Sequence, residues 1–221
     1  MRFTPLAWIL LVLALILGGV LWYLLQDPPE GGATPEEVLE RLGVATLDHD
    51  WAGLLPVTLP EQRRVLAFGL GVSGPMGSAK LREQLLPAAK VAGDKQHAQM
   101  QADIERLQKA HRKILDQHGI PSYSLQHLME IGADPAVRRK LAEDSLANVD
   151  LEALLTDVSS MLKSIPDGIP EGAGPFANAN FVGRTVVIDG DTATATPPAG
   201  GKPLTLKKLD GRWYADLVAF Q

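Results

Sequence analysis

Asp210-Gly211, set between two short alternating runs in "LTLKKLDGRWYADL" (204–217), constrains the fold of this 221-residue chain more tightly than any other feature. An Asp-Gly pair suits the two-residue turn in which both central residues take positive φ, and that turn fixes which residues face each other across a hairpin. It predicts Leu209 opposite Arg212, Lys208 opposite Trp213, Lys207 opposite Tyr214, Leu206 opposite Ala215, Thr205 opposite Asp216 and Leu204 opposite Leu217. Side chains alternate between faces, so Leu204, Leu206, Trp213, Ala215 and Leu217 share one side, while Thr205, Lys207, Arg212, Tyr214 and Asp216 share the other. Lys208 falls on the apolar side, where its stem can follow the Trp213 indole and its ammonium reach water. A one-residue slip would mix the two faces, so the register is specified. The hairpin is expected to be the half-buried edge of a sheet, with upstream helices covering its apolar face.

A second hairpin precedes it. In "RTVVIDGDTATAT" (184–196), Val186, Ile188, Ala193 and Ala195 are available to one face and Thr185, Val187, Thr194 and Thr196 to the other. Upstream the apolar period is helical. Thr34, Pro35 and Glu37 supply the cap, first-turn proline and capping-box carboxylate of a helix with the stripe Val38, Leu39, Leu42, Ala45 and Leu47. Thr58 and Glu61 repeat the box spacing ahead of "LPEQRRVLAFGLG" (59–71). Gly-rich "GVSGPMGS" (71–78) reads as a hinge, and 78–165 as helical throughout. Within that stretch Met100, Ile104, Leu107, His111 and Ile114 form one stripe, Gly119 is a stop, and Asp134-Pro135 starts a further helix. Asp150 caps a last helix through Leu151, Leu154, Leu155, Val158, Leu162 and Ile165, broken at Pro166, and 166–180 is a Pro/Gly-rich loop.

At the other end, "LAWILLVLALILGGVLWYLL" (6–25) is twenty residues without a charge. At about 1.5 Å per residue it spans roughly 30 Å, the thickness of a bilayer's hydrocarbon core. Trp8, Trp22 and Tyr23 sit near its ends, where amphipathic rings favour the interface. Arg2 precedes the span and Asp27, Glu30, Glu36 and Glu37 follow it, which favours a cytoplasmic N-terminus. The alternative is a cleaved signal peptide, against which the run is long and no small-residue cleavage site follows promptly. The organisation expected is therefore 1–5 cytoplasmic, 6–25 transmembrane anchor, 26–33 linker and 34–221 an extracytoplasmic α+β domain. In that domain 78–165 is a helical insertion or arm and 181–219 holds the β-hairpins.

A net charge of −5 argues against a nucleic-acid partner, and the absence of cysteine excludes disulfides, thiolate metal sites and a cysteine nucleophile. The histidines are His49, His97, His111, His118 and His127. His111 and His118 lie seven apart, about 10 Å along a helix, too far to share a metal unaided. His111 reads as a residue of a helix–helix seam and His118 as a C-terminal cap. In "DHDW" (48–51), Asp50 is expected to cap the next segment and Trp51 to enter the core. "VIDGDTAT" (187–194) lacks the further oxygens of a calcium loop, and "GLGVSGPMG" (69–77) lacks the strand and Lys-Ser/Thr of a phosphate loop. No catalytic residue, metal ligand or cofactor-binding residue is nominated, and a non-catalytic role is favoured over an enzymatic one.

Two stretches resemble the extracytoplasmic bacterial members of the nuclear transport factor 2-like superfamily, which also holds the ketosteroid-isomerase and SnoaL-like domains. They are "TPEEVLERLGVATLDHDWAGLLPVTLPEQRRVLA" (34–67) and "VVIDGDTATATPPAGGKPLTLKKLDGRWYADL" (186–217), about a third of the chain. The resemblance implies a cone of helices first and a curved antiparallel sheet last, able to enclose a pocket. Isomerase-like members line that pocket with a Tyr and two acids. Here Tyr123 and Tyr214 are the tyrosines beyond the apolar span, and no carboxylate can be placed with either in an apolar pocket. Two features depart from the pattern: 78–165 is longer than the family's third helix and short strands, and only four strands are evident. The expectation is a single-pass protein of a bacterial inner membrane, held in lipid through 6–25, with a periplasmic binding or scaffolding module. The alternative is a small-ligand-binding or enzymatic domain using a cone-shaped apolar pocket. A third reading has 95–118 pairing with a helix of a partner protein or a second copy.

Overall fold

The computed structural model describes residues 30–124, 126–127, 134–164, 181, 183–198 and 200–217. The expected anchor at 6–25, the linker as far as residue 29, Ile165, the 166–180 loop and the chain beyond Leu217 lie outside the described residues. Among the described residues no helix is long and apolar enough to cross a membrane. The architecture is α+β, with the helices first. They are α1 (Pro35–Leu47), α2 (Arg63–Ala67), α3 (Gly74–Ala92), α4 (Asp94–Gln117), α5 (Pro135–Ser145) and α6 (Leu151–Lys163). One antiparallel sheet follows in the spatial order β1-β2-β3-β4, formed by Thr185–Asp189, Thr192–Thr196, Leu204–Leu209 and Arg212–Ala215.

The Asp-Gly turn sets the register expected of it. Asp210 and Gly211 take φ of 49° and 81°, and Leu206, Lys207, Lys208 and Leu209 pair with Ala215, Tyr214, Trp213 and Arg212. Leu204, Leu206, Trp213, Ala215 and Leu217 are all buried, and the Lys208 ammonium lies 5.8 Å from the Trp213 ring centroid. In the first hairpin Ala193 and Ala195 are buried, but Val187 and Ile188 are both more than half exposed, so its tip projects beyond the core.

One expectation is corrected in part: β4 is the terminal strand of the sheet, but its outer side is not left open. Gly32 exchanges two backbone hydrogen bonds with Trp213 at 2.9 and 2.8 Å; Ala215 N–H donates to the Val57 carbonyl at 2.8 Å, and Leu59 N–H to the Ala215 carbonyl at 3.1 Å. The flanking segments are too short to read as strands, Val57-Thr58-Leu59 being three alternating residues between two prolines, so the sequence does not announce the pairing. They also cover the face expected to be wet. Tyr214 and Asp216 are buried, with the Gln62 amide donating to Asp216 Oδ1 at 2.7 Å and Lys207 Nζ 3.7 Å from Oδ2. Gly31 makes this possible: its φ is +66°, and a Cβ there would stand 2.8 Å from both the Trp213 carbonyl oxygen and the Tyr214 ring.

Most helix starts form as the sequence indicates. Thr34 Oγ1 accepts the Glu37 N–H at 3.2 Å while the Glu37 carboxylate reaches back to Ala33 N–H at 2.6 Å; Asp134 and Asp150 cap α5 and α6. Four details differ. Leu47 is 78% exposed, because α1 ends there and the chain turns away from the stripe. Thr58 caps nothing; its hydroxyl is buried and donates to the Leu54 carbonyl at 2.7 Å. The 71–78 hinge does not exist, since α2 runs through a π-helical stretch, Phe68–Ser73, into α3. Nor is 78–165 helical throughout: Gly93 (φ 146°), Gly119 (φ 67°) and the Leu146–Asp150 stretch interrupt it.

α3 and α4 fold back on each other around Gly93, with Lys90 and Asp94 paired across the turn and Gln108 donating to Glu83 at 3.1 Å. Ile104, Leu107, His111 and Ile114 are buried, and α4 packs on both α3 and α6, so its apolar stripe finds helical partners within the chain. The sheet's inner face, α1, α2, α6 and the π-helical stretch share one core cluster that includes Trp51, Phe68 and Phe181. The space beneath the sheet is filled by side chains.

Candidate functional site

One concavity among the described residues starts from a proline. An α-helical carbonyl accepts from the N–H four residues on, and for Gly71 that residue is Pro75, which has none. The helix is in the π form here, with the Gly74 N–H bonding five residues back to Gly69 and not to Gly71. For the Gly71 carbonyl the chain brings in a donor from outside: His111 Nε2 lies 2.8 Å from its oxygen. Gly71 is itself required by packing, because a Cβ would meet Leu154 of α6 at 3.2 Å.

That contact settles the tautomer. A carbonyl can only accept, so Nε2 carries the hydrogen and Nδ1 of the neutral ring is a bare acceptor. His111 is 5% exposed; burial holds its pKa below the ordinary histidine value, partly offset by the Gly71 hydrogen bond, so the ring is neutral at pH 7. Nδ1 has no partner among the described residues.

His111 lines a groove of about 350 Å³ between α3, α4 and the segment that carries Ser122 and Tyr123. On the α3 side the small side chain of Ala79 lines this space, beside Pro75 and Met76. Met76, Ala79 and Leu115 give it apolar walls. Tyr123 closes one end, its ring edge-on to Phe68 at 5.9 Å and parallel to His127 at 6.2 Å. The Tyr123 hydroxyl is 2.5 Å from Ser145 Oγ, which donates at 2.6 Å to the Leu141 carbonyl, so the phenol is the donor and its position is fixed. The rim carries Lys80, Glu83, Gln108 and Arg112. Lys80 is paired with Glu83 at 3.2 Å, whereas Arg112 is exposed and has no carboxylate partner among the described residues, which leaves the rim net positive.

The other residues considered from the sequence do not join this site, except that His127 stacks behind Tyr123. His118 caps α4 as expected and binds Asp157 at 2.9 Å; Asp50 accepts the Gly53 N–H at 3.2 Å, and Trp51 is buried beside His49. Tyr214 lies against Gly31. Among the described residues no three His, Asp or Glu side chains are grouped to hold a metal. Sequence reasoning placed His111 at a helix seam, where it is, but missed its partner. The available signal was Pro75, which marks Gly71 as a carbonyl in need of a donor. Comparison with protein-family models, curated proteins and solved structures returns no match for this chain.

Proposed function

We propose that this chain is a single-pass membrane protein whose domain, from residue 34 onward, is a binding module that takes a small ligand in the α3–α4 groove. The observation that carries this is a buried neutral imidazole lining the groove, with one nitrogen committed to Gly71 and the other without a partner among the described residues, in a cleft of small-ligand size. The charge-free run 6–25, with Arg2 before it and acids after it, supports an N-terminus in the cytoplasm and a domain on the periplasmic side of a bacterial inner membrane. Helices first and an antiparallel sheet last supports the kinship with the nuclear transport factor 2-like cone. The ligand site would then be a departure from that family's pocket, because the sheet's inner face is packed.

The test uses the full-length protein in lipid nanodiscs with 13C-labelled methionine methyls and a set of small aryl acids, amides and amines. Binders should shift the Met76 methyl, which lines the groove, and leave the core methyl of Met161 in place. Ser122→Trp, at the exposed rim, should block them. If no compound moves Met76 at millimolar concentration, the reading is wrong. For the address, topology reporters after residues 30 and 221 should both be active only outside the cytoplasm; cytoplasmic activity at residue 221 would refute it.

A further inference from the structure

Resting on the groove reading above, we infer that the ligand class is a planar aromatic carboxylate that also carries a hydrogen-bond donor. Three features of the groove, each with a different chemistry, select it. The first is His111 Nδ1, an acceptor in a buried ring whose other nitrogen is already used. A ligand that desolvates this nitrogen without offering it a donor leaves a buried acceptor unpaired, which disfavours binding. The second is the wall. Met76 and Leu115 are apolar, and Tyr123 has its hydroxyl hydrogen engaged by Ser145, so it offers the ligand its ring surface and no donor. A flat aromatic body matches an immobilised ring and a polarisable thioether. The third is Arg112. It follows His111 on α4, lines the same groove, and is the rim cation without a carboxylate partner among the described residues, Lys80 being engaged by Glu83. A guanidinium forks onto a carboxylate with two parallel hydrogen bonds, geometry that a neutral amide cannot match. Glu83 on the opposite rim would repel an anion placed near it, so the carboxylate belongs at the Arg112 side.

Three probes separate these contacts in the full-length, methionine-labelled protein: indole-3-acetate, indole-3-acetamide and 1-methylindole-3-acetate. The first offers ring, donor and charge; the second lacks the charge and the third the donor. Indole-3-acetate should bind about tenfold more tightly than either analogue, the worth of one charge-assisted or one buried hydrogen bond. Arg112→Gln should erase its advantage over the amide while leaving its advantage over the N-methyl compound, and Lys113→Gln, a neighbouring exposed cation, should change neither. If the three probes bind equally, the ligand class is wrong but the groove remains a binding site. If none shifts Met76 while other compounds do, the class is again wrong; if nothing shifts it, the groove reading itself fails. A carboxylate preference that survives Arg112→Gln would overturn the assignment of Arg112. The N-methyl probe tests His111 without a substitution that could unfold the seam.

Discussion

His111 and Pro75 should be energetically coupled, and a double-mutant cycle measures by how much. His111→Leu keeps roughly the volume but removes the donor to the Gly71 carbonyl, which sits in a buried π-helical stretch between α2 and α3. Leaving a buried carbonyl unpaired costs about 1–3 kcal/mol. Pro75→Ala restores an N–H at the position four residues after Gly71, so the same carbonyl can be satisfied along the helix. In that background His111→Leu should cost little beyond repacking, giving a coupling energy of about 1–2 kcal/mol. Pro75→Ala alone should cost less than about 1 kcal/mol, from the freer unfolded chain. The assay is urea unfolding of the full-length protein followed by far-UV circular dichroism, for wild type, both single variants and the double. Additivity to within about 0.5 kcal/mol would refute the reasoning, because independent sites add to that tolerance.

Other outcomes follow from the same contacts. His111 has a folded pKa below its unfolded value, so the unfolded chain binds the extra proton; stability should fall as pH drops below about 6.5, and His111→Leu should flatten that slope. Gly31→Ala should destabilise by about 2–4 kcal/mol, from a positive φ plus a clash with the Trp213 carbonyl. Gly211→Ala, with positive φ but open space, should cost only about 1–2 kcal/mol; equal costs would remove Gly31's packing role. Gly69→Ala meets nothing within 4 Å and should stabilise by up to about 1 kcal/mol in the same unfolding assay. Trp213→Ala should cost about 3–5 kcal/mol by urea unfolding, as for a buried aromatic in a core.

Local chemistry made most of the elements legible. Asp210-Gly211 dictated a register that the strands obey, and Thr34, Asp134 and Asp150 marked helix starts that their side chains cap. What escaped was non-local. Gly32 and Val57–Leu59 pair with β4 although neither segment is long enough to read as a strand, so the burial of Tyr214 and Asp216 had no local sign. The glycines at 69, 71 and 74 read as a hinge because glycine disfavours helix; tertiary contact with Leu154 and the π widening overrode that preference. The groove was invisible for the same reason: it exists only because α3 folds back along α4 and sets Met76 and Ala79 beside His111. The His111 stripe position was readable, yet the open nitrogen depends on a carbonyl forty residues away.

The most direct measurement is the 15N spectrum of histidine-labelled full-length protein at pH 7, with and without saturating indole-3-acetate. A protonated Nε2 and a bare Nδ1 are expected for His111, with Nδ1 moving when the probe is added. A protonated Nδ1, or an Nδ1 signal indifferent to a probe that demonstrably shifts Met76, would contradict the groove's chemistry at His111.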